Sequence, residues 1–181
     1  MTTASAADRV IEVKRTLDGR EQRFECELIH RDARVLVVLY RFERRGRQLR
    51  SYGLFWPRRP YNCYYVVPAE GDQVAFARFD VVAGLEVRPD LDPPEVCYRD
   101  LLLDLWVDAD GARFEDEDEV EAAWASLDAA DRARIERGRT VLERGHPRIR
   151  AEVRRLLIGL GQLPGAPADD RGGSDLEEAR A

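Results

Sequence analysis

The chain has 181 residues, 44% of them hydrophobic, enough for one globular domain with its own core. Charged residues make up 35% and the formal net charge is -6, which argues against a general nucleic-acid-binding domain, since such domains are basic. No apolar run approaches a membrane span, and the N-terminal MTTASAADRV lacks the apolar core of a signal peptide. Cys26, Cys63 and Cys97 are odd in number and widely spaced, so neither a disulfide framework nor a thiolate zinc site is expected. A reducing cytoplasm is the expected setting, with no membrane partner.

In chain order, residues 1–8 are small and polar and are expected to be disordered. From Val10 to Val107 the pattern is strand-like: VIEVKRTL, RFECELIH, RVLVVLYRFE, LRSYGLFW, NCYYVVPA, QVAFARFDVV and RDLLLDLWV are rich in β-branched, aromatic and leucine residues. LDGR and AEGD read as hairpin turns. Seven short strands with no helix between them predict an antiparallel barrel or sandwich. After Gly111 the period changes, and Val120, Ala123, Trp124 and Leu127 recur at helical spacing. Asp128 is placed to cap a second helix near Arg132 to Arg144, ended by Gly145. Pro147 suits the first turn of a third helix with Val153, Leu156, Leu157 and Leu160 on one side. The expected organisation is one domain over residues 9–162, with strands to about 114 and helices over about 116–160. The tail from 163 is expected to be disordered.

The stretch YRDLLLDLWVDADGARFEDEDEVEAA carries the chemistry. Strand alternation puts Asp100, Leu102, Asp104 and Trp106 on one face and Leu101, Leu103, Leu105 and Val107 on the other, apolar face. Two carboxylates on one side of a central strand repel each other and are costly to bury, unless cations or protons intervene. A divalent ion with oxygen ligands resolves both problems, and so do arginine partners. DADG turns the chain back, and EDEDE follows at a helix start, where acids gain from the helix dipole. Asp116 and Glu119, three apart, share a helical face and are placed to join Asp100 and Asp104. An EF-hand loop is excluded, because Trp106 occupies its first ligand position.

At these residues the chain resembles the DUF402 family, which includes bacterial nucleoside tri- and diphosphate phosphatases and the nucleotidyl-ester hydrolase of fosfomycin biosynthesis. The match is carried by YRDLLLDLWVDADG followed by DEDE, with weaker matches in WPRRPYNCYYV, ARFDVV and LDGREQRFE. The resemblance implies an α+β fold, an antiparallel β-barrel-like body followed by C-terminal helices. It implies a metal-dependent hydrolase of nucleotide phosphoanhydrides or phosphoesters, using magnesium or manganese. Asp80, Asp100, Asp104, Asp116 and Glu119 would be the metal ligands, with Asp80 standing where the phosphatases have asparagine. Arg23 falls on the arginine assigned there as proton donor; a guanidinium hardly gives up a proton, so a charge clamp on phosphate suits it better. Asp116 or Asp104 would orient the attacking water. Arg58, Arg59, Tyr61 and Asn62 form the expected substrate-binding set. Leu102 stands where the phosphatases carry a third aspartate of this strand, so a second metal would have fewer ligands.

Two alternatives stand beside a nucleotide-type small-molecule substrate. Arg41, Arg44, Arg45, Arg47 and Arg50, interleaved with Tyr40 and Phe42, suit single-stranded RNA on a β surface; DNA is not expected. The other alternative is a catalytically degenerate member that keeps its metal for stability. There is no GxxxxGK[ST] loop, and His30 and His146 are isolated, so P-loop and histidine-based chemistry have no support.

Overall fold

The computed structural model describes residues 9–165. The expected disordered ends at residues 1–8 and beyond 165 lie outside the described residues, whereas residues 163–165 are described. Leu163 is buried at 4% exposure and the neighbouring Gln162 carbonyl accepts a hydrogen bond from the Tyr52 hydroxyl, so the packed domain runs at least one residue past the expected boundary.

Each of the seven apolar runs forms a strand: β1 (Arg9–Arg15), β2 (Glu21–Arg31), β3 (Leu36–Arg44), β4 (Arg47–Phe55), β5 (Tyr61–Pro68), β6 (Phe76–Arg88) and β7 (Glu95–Asp108). Consecutive strands pair antiparallel, and β1 also pairs parallel with the first half of β7, which closes a seven-stranded barrel. A short β8 (Gly111–Glu115) returns through the DADG turn and pairs with the second half of β7. One edge of β7 is therefore covered by β1 and then by β8. Most of the stretch between Asp80 and Asp100 is strand on both sides of a short connection.

Period-two alternation sorts the side chains of the barrel onto two faces. The inner face is closed at one end by Val10, Cys26, Leu36, Val38, Phe55, Val82, Val96 and Tyr98. The outer face of β4 to β7 carries Tyr52, Leu54, Tyr61, Cys63, Phe79, Val81, Leu101, Leu103 and Leu105, all buried beneath the helices. All three cysteines are free and buried, and burial pushes the Cys26 thiol up to about 12, so it behaves as a small apolar side chain.

Two helices follow, α1 (Glu117–Ala123) and α2 (Ala129–Gly159). The break expected between Gly145 and Pro147 is absent. Ile135, Gly138, Leu142, Ile149, Val153 and Leu157 lie on one continuous buried face that spans it. Pro147 removes one helical amide donor, a cost of about 3 kcal/mol, and the apolar burial on both sides of it outweighs that loss. Asp128 caps α2 as expected, accepting the Asp131 amide at 2.8 Å. The buried Asp131 carboxylate takes a two-pronged pair from Arg99 of β7 at 2.6 and 2.7 Å, pinning the helix start to the barrel. No helix among the described residues is long and apolar enough to cross a membrane.

At Gly138 α2 packs tightly on the barrel. A Cβ there would meet the two Val81 methyls at 2.8 and 2.9 Å, and Val81 is fully buried. Gly138→Ala gains about 1 kcal/mol of helix propensity and loses about 1–3 kcal/mol to overpacking. The expected result is a lower urea midpoint with an unchanged m-value; a midpoint at or above wild type would show that α2 can shift off β6.

Candidate active site

The inner face of the barrel opens into a cavity of about 320 Å³. Its walls are aromatic: Phe24, Tyr40 and Phe42 on one side, Tyr64, Phe76 and Trp106 on the other. Phe76 and Trp106 stack at 4.4 Å between ring centroids, and the Arg44 guanidinium lies 5.5 Å from each ring. Lys14 and Arg78 also line this space.

Beside those two cations lies the carboxylate cluster. Asn62, Asp80, Asp104 and Glu115 form one cross-strand row from β5 to β8, and Asp100 faces Val82 one step along. Arg78 holds Asp80 with two hydrogen bonds at 2.7 and 2.8 Å and stands 3.7 Å from Asp104. Lys14, the single lysine of the chain, is 2.7 Å from Asp100 and 3.6 Å from Asp80. Burial works to lower the Lys14 pKa, but the Asp80 and Asp100 carboxylates outweigh it and hold the ammonium above its ordinary value. Arg78 is held up in the same way, against burial, by Asp80 and Asp104.

Three carboxyl groups thus face two fixed cations, which leaves one negative charge without a partner. That charge falls on Asp104. Burial first, then the neighbouring Asp80, push its carboxyl up to about 9 despite Arg78. Among the described residues its buried Oδ1 has no hydrogen-bond partner, and neither has either amide atom of Asn62, two strands along the same row.

Strict alternation misplaces Leu102. Between the pairs Asp80–Asp104 and Val82–Asp100, one residue of β6 faces three of β7. This is a bulge, in which Leu102 adopts φ 73°, donates its amide to Asp100 Oδ1 at 3.1 Å and packs on the outer core. Asp100 and Asp104 remain on the inner face, because the bulge adds an even number of residues between them.

The remaining expected site residues lie apart. Asp116 is exposed, with φ 62° as the residue before α1, and makes no side-chain capping bond; Glu119 is exposed on α1. Neither has a hydrogen bond or ion pair to the cluster among the described residues. Arg23 is on the outer face of β2, between the cavity-lining Gln22 and Phe24, and pairs with Glu95. Arg59 and Tyr61 also face outward: Arg59 stacks on Trp56 at 4.3 Å and pairs with Glu152 of α2, and Tyr61 is core. Arg58 is exposed in the turn before β5. Of that set only Asn62 is on the inner face. The alternation of side chains in β2 and β5 contained this separation, but only for a reader who knew which face was concave.

Sequence reasoning missed Lys14, Arg78 and Glu12. Each is one charged residue in an ordinary strand; closure of β1 against β7 brings Lys14 and Glu12 to the cluster, and the register of β6 on β7 places Arg78. Glu12 is 5% exposed and accepts the Tyr64 and Tyr98 hydroxyls on Oε1 at 2.5 and 2.6 Å, while those hydroxyls lie 2.6 Å from each other. Three such contacts need three protons and the tyrosines supply two, which fits a Glu12 carboxyl whose pKa is raised by burial.

No family model matches the chain, and no curated protein matches it. Among solved structures, FomD in complex with CDP shares the fold, with a TM-score of 0.54 and 16% identity over 91% of this chain and 90% of that one. At that identity the likeness shows the shared fold alone.

The donors at the cluster fit one oxygen-liganded cation. Among the described residues Asp104 Oδ1 and the Asn62 side chain have no hydrogen-bond partner, and the third carboxyl of the cluster has no cation of its own. They do not fit two ions, since Leu102 offers no ligand and Lys14 and Arg78 already hold Asp80 and Asp100. Among the described residues no group of three or more Asp, Glu, His or Cys side chains is arranged to hold a metal by itself.

Proposed function

We propose that this chain is a nucleotide-directed hydrolase of phosphoester or phosphoanhydride bonds, a remote relative of the DUF402 proteins, with its substrate inside the barrel. The observation that carries the reading is a single cavity whose walls suit a flat aromatic base and whose side suits a phosphate: aromatic rings on two flanks, and Lys14 and Arg78 exposed to the same space with Asp80, Asp100 and Asp104 behind them. The CDP bound by FomD supports the same ligand class.

Asp104, with Asn62 beside it, would hold one magnesium or manganese ion, which would supply charge neutralisation at the phosphate and lower the pKa of a bound water. Lys14 and Arg78 meet the phosphate oxygens as fixed cations, already oriented by the carboxylates they hold. Asp100 is fixed at Oδ1 by the Leu102 amide and at Oδ2 by Lys14, so it keeps the ammonium aimed at the cavity. The aromatic walls exclude bulk water from the reacting bond. Arg44, Arg45 and Arg47 at the tip of the β3–β4 hairpin have no carboxylate partner among the described residues, and they draw an anionic ligand to the mouth.

The test is phosphate and nucleotide release from nucleoside di- and triphosphates and nucleotidyl esters, with manganese or magnesium and with EDTA as control. Asp100→Asn is expected to lower metal-dependent release about 100-fold with the fold intact by circular dichroism. Release by neither protein, combined with RNA binding that weakens with salt and survives EDTA, would replace this reading with the RNA-binding one.

A further inference from the structure

The hydrolytic reading leaves Glu12 without a task, although a buried carboxyl at the floor of an aromatic cavity is costly to keep. Its surroundings are built. Tyr64 and Tyr98 both point their hydroxyls at Oε1, while Oε2 has no hydrogen-bond partner among the described residues and the side chain lines the cavity. Among the described residues no cation holds it by an ion pair, and Lys14, two residues along the same face of β1, is about 6.6 Å away along the strand. The Arg78 guanidinium lies 5.0 Å from the Tyr64 ring centre, so the Tyr64 ring stands between Arg78 and the Glu12 carboxyl that its hydroxyl meets.

This arrangement disfavours an anion at the floor and offers one free acceptor, with tyrosine hydroxyls beside it that can turn to donate. We infer that Glu12, positioned by Tyr64 and Tyr98, is the specificity-determining residue of the cavity and accepts a hydrogen bond from an N–H or O–H group of the nucleoside portion of the ligand. This inference rests on the nucleotide reading of the same cavity. Two groups of a nucleotide supply that chemistry, the exocyclic amine of a base and the ribose 2′-hydroxyl. A ligand without the donor leaves Glu12 Oε2 unpaired in a dry site, which is why the discrimination is large.

The experiment is titration calorimetry of the full chain with CDP, UDP and 2′-deoxy-CDP, in EDTA and again with manganese. Wild type is expected to bind CDP about tenfold or more tightly than at least one of the other two. Weaker UDP assigns the amine, and weaker 2′-deoxy-CDP assigns the ribose. Glu12→Leu is expected to bring the three affinities within about twofold by weakening CDP, and Glu12→Gln, which keeps an acceptor, to restore part of the difference. Equal binding of all three by wild type overturns the inference and leaves the nucleotide reading standing. Discrimination that survives in Glu12→Leu also overturns it. Binding of none of the three overturns the nucleotide reading and this inference with it. Should Glu12→Leu fail to fold, the wild-type comparison with Glu12→Gln decides.

Discussion

Lys14→Met is expected to lower the melting temperature by roughly 10 °C in EDTA. Among the described residues Lys14 is the only cation in contact with Asp100, at 2.7 Å, and it shares Asp80 with Arg78 at 3.6 Å; its side chain is 16% exposed. Methionine fills a similar volume but removes the charge, which leaves Asp100 unpaired beside Asp80 and Asp104. Breaking a buried pair from one side costs about 3–5 kcal/mol, because the abandoned charge stays in a poorly solvated place. For a domain of this size each kcal/mol moves the melting temperature by about 2–4 °C. The same change should strengthen the site for a divalent cation, since the negative charge at the cluster grows. Manganese is therefore expected to raise the melting temperature of Lys14→Met by more than that of wild type. A melting temperature within about 2 °C of wild type would mean that water, and not Lys14, compensates Asp100.

Asp104→Asn should act in the opposite direction on stability while abolishing hydrolysis. Asp104 binds its proton far more tightly folded, at about 9, than unfolded near the ordinary aspartate value. Between those two values the native chain holds a proton that the unfolded chain has released, so the stability contributed by this group falls as pH rises. It is fully present below the unfolded value and is lost on approach to pH 9. Asparagine has no proton to lose and puts no charge beside Asp80. In EDTA, the melting temperature of wild type is expected to decline from pH 5 to pH 9, and that of Asp104→Asn to stay nearly flat and lie higher at the alkaline end. Manganese should raise wild type at pH 8 by displacing that proton, and leave Asp104→Asn unmoved. Scanning calorimetry across the pH range reads both effects. Parallel curves for the two proteins would place the buried proton elsewhere.

These two variants separate the stability of the site from its chemistry. Both are expected to lose activity, yet one falls and the other gains in stability, so a loss of phosphate release in both cannot be put down to unfolding. The pair also tests the degenerate alternative: manganese effects as described with no release by wild type would leave a structural metal site.

What the sequence by itself determined is local. Seven apolar runs broken by turn residues became seven strands, the switch of period after Gly111 became helices, and Asp128 capped one of them. Asp100 and Asp104 on one face of an apolar strand were legible as a costly pair that needs compensation, because alternation in β7 and the price of burial are both sequence-level facts. Tertiary structure decided what compensates them. Lys14 and Arg78 are distant from the acids in the chain or on a neighbouring strand, and only the parallel pairing of β1 with β7 and the register of β6 bring them together. It also decided which side of each strand is concave, and so moved Arg23, Arg59 and Tyr61 away from the cavity while bringing Glu12, Tyr64 and Tyr98 into it. The bulge at Leu102 and the continuity of α2 through Pro147 have the same origin: local rules charge for each, and burial against the rest of the domain outweighs the charge. Period and propensity are properties of neighbours in the chain, whereas charge compensation and concavity belong to neighbours in space.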